Sequence, residues 1–287
     1  MAKTTLDTWH PEFYSTSNLF DPIKPAFKAM NYHTPEWPTL NEYQSLLSSH
    51  STKITNFIDL PIQFVNQASA CSTFESQYEP RIYLKGEVQT RLKNWHDFFQ
   101  VLVWKTFPKT KKLLNTLHYQ ASTQRLSLDS TNKQRTPVEN FITLFDECGI
   151  IIVSHNAELL KMIKEFQWET LFWENREAFN TDIACFTFGH AMYEKAINPY
   201  IGMTANAILI HTDKAISDMA DKRGLDLIDT LTSSTITKNL EETPDLKGHL
   251  TPFPLLGVPN WHKDNNEKRF YLNENYFRKK RRNQDRP

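Results

Sequence analysis

The stretch from Trp95 to Phe107 reads as a helix that is apolar on almost every side. Trp95, Phe98, Phe99, Val101, Leu102, Val103, Trp104 and Phe107 leave one narrow polar stripe, on which His96 and Gln100 stand one turn apart. Such a helix is buried rather than surface-lying, so the chain has to build a sizeable core around it. A chain of 287 residues can do so, because at this length folding buries roughly three quarters of the unfolded surface. Asn94 suits the N-cap, and Asp97 at the third helical position suits the helix's positive end. Pro108 ends the helix and opens a second one through Lys111–Leu117.

Around this element the pattern is mixed. Residues 1–77 are rich in proline (Pro11, Pro22, Pro25, Pro35, Pro38, Pro61) and aromatics (Trp9, Phe13, Phe20, Phe27, Trp37). Prolines break helices while aromatic rings favour burial, so the segment reads as an irregular arm lying on the core. Short helices are expected at Thr39–Ser48 and near Leu60–Ser69. Residues 121–134 read as a polar connection. A helix from Pro137 to about Glu147 follows, then a buried strand at Ile150–Val153, helices over 156–166 and 168–179, and a strand at Ile183–Phe188. Gly189 turns into a helix His190–Ile197, broken at Asn198-Pro199; a third strand is expected at Ala207–His211 and a helix over Asp213–Lys222. The expected fold is mixed α+β, helix-dominated, with one small central sheet of about three strands. Residues 78–278 read as a single globular domain, preceded by the arm and followed by a basic flexible tail, 279–287.

Composition excludes several function classes. The 33 Lys and Arg balance 33 Asp and Glu, against a strongly basic nucleic-acid binder and an acidic solvating chain. Only 7 glycines occur, without the cluster of a P-loop or dinucleotide-binding turn. The start of the chain lacks the apolar segment of a secretion signal, and the longest aliphatic run, Ile150–Val153, is far too short for a membrane span. Cys71, Cys148 and Cys185 form no CxxC pair and read as packed, reduced thiols. A cytoplasmic location follows as an expectation. The tail Arg278–Arg282 could touch nucleic acid or an acidic surface only weakly, since no aromatic platform accompanies it, and a solvated terminus is the plainer reading.

Three strand candidates each lead to a histidine: His155, His190 and His211. All three would share one sheet edge if the strands were parallel. His190 and Glu194 are four apart on one helix, a spacing suited to two metal ligands or to a carboxylate orienting an imidazole. Asp146 and Glu147 end the preceding helix, where acidic residues oppose the macrodipole. They come near His190 only if the first two strands are antiparallel, so this grouping and the three-histidine edge exclude each other. His190, Glu194, Asp146 and Glu147 are the candidate catalytic set. Arg91, Asn94, His96, Asp97 and His118 are candidate binding residues; for His96 and Asp97 the plainer alternative is a capping network with Asn94, Arg91 or Glu79.

The segment YEPRIYLKGEVQTRLKNWHDFFQVLVWKTFPKTKKLLNTLH (78–118) resembles the start of the bacterial domain family DUF3025. LFDECG (144–149), GHAMYEK (189–195) and PYIGMTA (199–205) resemble its middle; PFPLLGVPNW (252–261) and FYLNENYFR (270–278) resemble its end. The resemblance implies a soluble bacterial protein and no particular reaction. The chain departs from the family pattern at Cys148, where Asn is expected, and at Gln89, where Pro is expected; neither is an acidic or histidine position.

The motif residues that ionise or coordinate are Arg91, His96, Asp97, His118, Asp146, Glu147, His190 and Glu194. Convergence on one cavity would favour a hydrolase-like or metal-assisted enzyme, with a divalent metal as the implied cofactor. Pairing off in salt bridges without a cavity would favour a binding or interaction module.

Overall fold

The computed structural model describes residues 8–49, 53–67, 73–129, 131, 133–214, 222–243, 246 and 248–280. The arm supplies helices α1 (Lys24–Ala29) and α2 (Leu40–Ser48) and strand β1 (Gln63–Asn66). Then come α3 (Tyr78–Lys85), β2 (Glu87–Thr90), α4 (Trp95–Thr106), α5 (Pro108–Leu128) and α6 (Pro137–Cys148). The sheet region alternates β3 (Gly149–Ser154), α7 (Ala157–Lys164), a π-helical turn at Thr170–Glu174, α8 (Arg176–Asp182), β4 (Ile183–Thr187), α9 (His190–Ala196) and β5 (Thr204–His211). The long α10 (Lys222–Glu242), β6 (Thr251–Pro254) and the short α11 (Lys268–Tyr271) complete a helix-dominated α+β fold.

The main sheet has four strands in the order β4-β3-β5-β6. β3 is buried along its whole length, flanked on both sides, which explains its unbroken Ile-Ile-Ile-Val run. It pairs antiparallel with β4 (Ile150 opposite Thr187) and parallel with β5 (Ser154 opposite His211). The fourth strand, Thr251–Pro254, was hidden in the sequence by its prolines. It is an edge strand, where a residue without a backbone N–H is tolerated.

Two expectations need correction. The helix expected near Leu60–Ser69 is replaced over Gln63–Asn66 by β1, which pairs parallel with β2; Ile62 and Phe64 alternate inward at period two. The polar connection expected over 121–134 is helical as far as Leu128, because Ser122 is buried and the Arg125 guanidinium donates to buried Glu139 of α6 at 3.0 Å. The expected small central sheet of about three strands is present with four, and a separate two-stranded pair accompanies it. Most of the expected helix Asp213–Lys222 lies outside the described residues; α10, which starts at Lys222, was not anticipated.

The core forms around α4. On one side the arm seals it: Trp9 stacks on Trp95 (centroids 5.1 Å apart), and Phe13 meets Trp95, Phe98 and Phe99 edge-on. Trp9, Phe13 and Phe20 are buried and Trp37 is half-buried. The N-terminus of α5 has no local side-chain cap. Asp229 of α10 accepts from the Lys109 and Thr110 amides, both at 2.8 Å, and closes that turn from another element.

Candidate metal centre

Four local devices place the polar groups on the other side of α4. Asn94 caps α4 by accepting from the Asp97 amide at 3.1 Å. That start aims His96 out of the aromatic core. Thr136 and Glu139 form a capping box that begins α6 behind Pro137, and α6 runs straight to Asp146, Glu147 and Cys148 at its C-terminus. Gly189 precedes α9 where any Cβ would run into the Glu147 carbonyl and the Cys148 and Gly149 amides. Only glycine lets α9 begin against the end of α6. The antiparallel β3–β4 pairing returns the chain to that same end.

His96, His190 and Glu147 therefore converge. The two Nε2 atoms are 3.0 Å apart, and Glu147 Oε2 lies 3.4 Å from that of His190 and 3.9 Å from that of His96. The three separations average about 3.4 Å, the edge of a tetrahedron whose centre is about 2.1 Å from each corner, the zinc–nitrogen and zinc–oxygen bond length. His96 Nδ1 is 2.9 Å from Glu194 Oε2. A carboxylate only accepts, so the proton sits on Nδ1. The Nε2 lone pair of neutral His96 then faces the cluster, the outer-sphere arrangement typical of metal-bound histidine.

His190 is buried; its Nδ1 has no hydrogen-bond partner among the described residues, and Asp146 Oδ2 lies 3.8 Å away. A carboxylate on that side favours the Nδ1–H tautomer, which aims a second lone pair at the first. Burial pushes the His190 pKa down to about 3, so the ring is neutral at physiological pH. Burial also opposes charge on His96, but the Glu194 hydrogen bond and the Glu147 charge outweigh it and raise its pKa above the ordinary histidine value. Burial, with Asp146 and Glu194 nearby, raises Glu147. The Asp146 carboxyl would likewise be raised by burial. The Lys111 ammonium, donating to both its oxygens at 2.6 and 2.8 Å, holds it below the usual range instead.

The centre opens into a cleft of about 380 Å³, within the range of small-molecule sites. Of the eight ionisable motif residues, all but Glu194 line it. The structure thus brings together His190, Asp146, Glu147 and Glu194, with His96 at their centre. Arg91 and Asp97 form a two-pronged ion pair (3.0 and 2.8 Å) at the rim, and Asn94 serves only as the cap, so the capping alternative describes Asp97 but not His96. Glu79 instead accepts from Asn115. His118 lines the cleft from α5, away from the cluster's hydrogen bonds. The three-histidine edge does not form. His211 and His155 meet at one end of the sheet (Nε2 to carbonyl, 3.2 Å), while antiparallel β4 carries His190 to the other.

Sequence reasoning missed Lys111, which bridges Asp146 and the Gln100 side chain, and Tyr78, whose hydroxyl accepts from Gln100 at 2.7 Å. The signal was available for Lys111. It shares the buried face of α5 with Leu114, Asn115 and Ser122, and a lysine on such a face needs a carboxylate partner.

Among the described residues, no helix is long and apolar enough to cross a membrane. Comparison with curated proteins and with solved structures finds no match. A family profile does match, over residues 62–281, a span that begins inside the arm just before β1. The chain belongs to the DUF3025 family, described as a protein of unknown function.

Proposed function

We propose that the protein is a metal-assisted hydrolase whose divalent ion, zinc by geometry, is held by His96, His190 and Glu147. The observation that carries this reading is the meeting of three electron-rich atoms at the edge lengths of a tetrahedral site. Without a cation, the 3.0 Å contact between the two Nε2 atoms needs a proton on one of them. Such an ion, with three protein ligands and one open position, supplies a water of lowered pKa and polarises a carbonyl or phosphoryl oxygen. The chain's own residues do the rest. Glu194 fixes the His96 tautomer, Lys111 keeps Asp146 ionised beside His190, and Gly189 sets the α6–α9 approach. The neutral charge balance and the family resemblance support a soluble bacterial enzyme.

The raised proton affinity of His96 favours a second reading. A His96 imidazolium between Glu194 and Glu147, donating to His190, would make the cluster a structural network in a binding module.

Chromogenic carboxylic and phosphate esters, assayed before and after chelation and zinc return, separate the two. The enzyme reading expects hydrolysis that chelation abolishes, zinc restores and E147Q lowers by at least about 100-fold. Activity indifferent to chelation and to E147Q would overturn it.

A further inference from the structure

The acids that face the cleft are all committed. Asp97 is held by Arg91, Asp146 by Lys111, Glu79 by the Asn115 amide, and Glu147 belongs to the metal centre. Two basic side chains in the same cleft are not. Among the described residues, exposed Arg135 has no ion-pair partner and the buried His118 Nδ1 has no hydrogen-bond partner.

Their placement is ordered. α5 and α6 run side by side in opposite directions, as the Lys111–Asp146 and Arg125–Glu139 pairs show. His118 lies two turns beyond Lys111 on the same face of α5, roughly 10 Å further along the groove. Arg135 immediately precedes the Thr136 cap, so it stands at the N-terminal, positive end of α6, while Glu147 stands at the other. A divalent ion is balanced there by the Glu147 and Glu194 carboxylates, and Lys111 balances Asp146. The uncompensated positive charge of the cleft therefore lies at its Arg135 end, with neutral groups such as Thr143 between it and the metal centre.

Resting on the hydrolase reading, we infer that the substrate is a small elongated molecule with a terminal anionic group, carboxylate or phosphate. Arg135 and His118 hold that group roughly 10–16 Å along the α5–α6 groove from the Lys111–Asp146 pair, while the bond to be cleaved lies on the ion. An arginine fork matches either oxyanion bidentately.

Calorimetric titration of the zinc-loaded full chain with inorganic phosphate and with succinate tests this, beside R135Q and H118Q. Arg135 is exposed, so R135Q leaves folding intact. The inference expects the wild type to bind at least one anion, R135Q to weaken it at least about tenfold and H118Q severalfold, with zinc content unchanged in both. Tighter phosphate or tighter succinate supports the inference and assigns the source. A chain that keeps no zinc overturns the hydrolase reading and this inference with it. A chain that keeps zinc but binds neither anion, or binds them equally in R135Q and H118Q, overturns the anion subsite alone.

Discussion

The two sides of α4 are built on opposite terms. Facing the arm, Trp95, Phe98 and Phe99 meet Trp9, Phe13, Phe20 and Phe27 in a dry aromatic cluster. Facing the cleft, His96 and Gln100 enter polar networks that reach α5, α6 and α9. On the first side stability rises with apolar area removed from water, and no single partner is indispensable. On the second, burial works against every charge, so each group depends on a particular partner. The difference teaches where chemistry resides. The aromatic side fixes α4 in place, and the polar side uses that rigidity to hold His96 against residues from two other helices.

Deleting residues 1–38 would break the comparison most severely. It strips Trp9, Phe13, Phe20, Phe27 and Trp37 from α4, and even one buried Phe or Trp changed to Ala costs about 3–5 kcal/mol. The expected outcome is loss of the cooperative melting transition. An unchanged midpoint would show that the arm contributes nothing to the core.

The polar side should fail through single partners. Lys111→Met leaves the Asp146 carboxylate buried and unpaired, which costs about 3–5 kcal/mol by denaturant titration. The double change with Asp146→Leu should recover most of that loss, since a buried pair replaced by apolar groups is often neutral. If K111M were as stable as wild type, the pair would not be structurally required.

A smaller and pH-dependent effect is expected one turn beyond the cleft, at Glu139. Burial raises its carboxyl, but the Arg125 hydrogen bonds and the Thr136 cap outweigh it, and the folded pKa lies below the ordinary value. A depressed carboxyl stabilises the fold above its unfolded pKa of about 4.3 and loses that contribution as pH falls through the folded value. Wild type should thus exceed E139Q by roughly 1–2 kcal/mol at neutral pH, the gap closing below about pH 4. A gap constant from pH 7 to 3 would contradict the assignment.

How much of this was legible in the sequence depended on whether the signal was local. α4 was readable from its apolar surface and Asn94 cap, and β3 from its Ile-Ile-Ile-Val run, because both patterns lie within one element. β1, β6 and the second half of α5 were not: Gln63–Asn66 and Thr251–Pro254 become strands only through their partners, and residues 121–128 stay helical because α6 receives them. For the cluster, the His190–Glu194 spacing and the Asp146-Glu147 pair pointed to α9 and α6, two of the helices that meet there. The centre of the cluster nevertheless turned out to be His96, 94 positions from the ring it meets. No helical periodicity encodes a contact at that separation. It depends on Gly189 and on the antiparallel pairing of β3 with β4, which the sequence left open.

The central claim is that His96, His190 and Glu147 jointly hold one divalent ion. Elemental analysis of the purified full chain after equilibration with zinc and gel filtration, beside H96Q and E147Q, reads it most directly. The account predicts close to one zinc per wild-type chain and a fall of at least about tenfold in affinity in each variant. Wild-type protein without stoichiometric metal, or variants that retain it as tightly, would contradict the account.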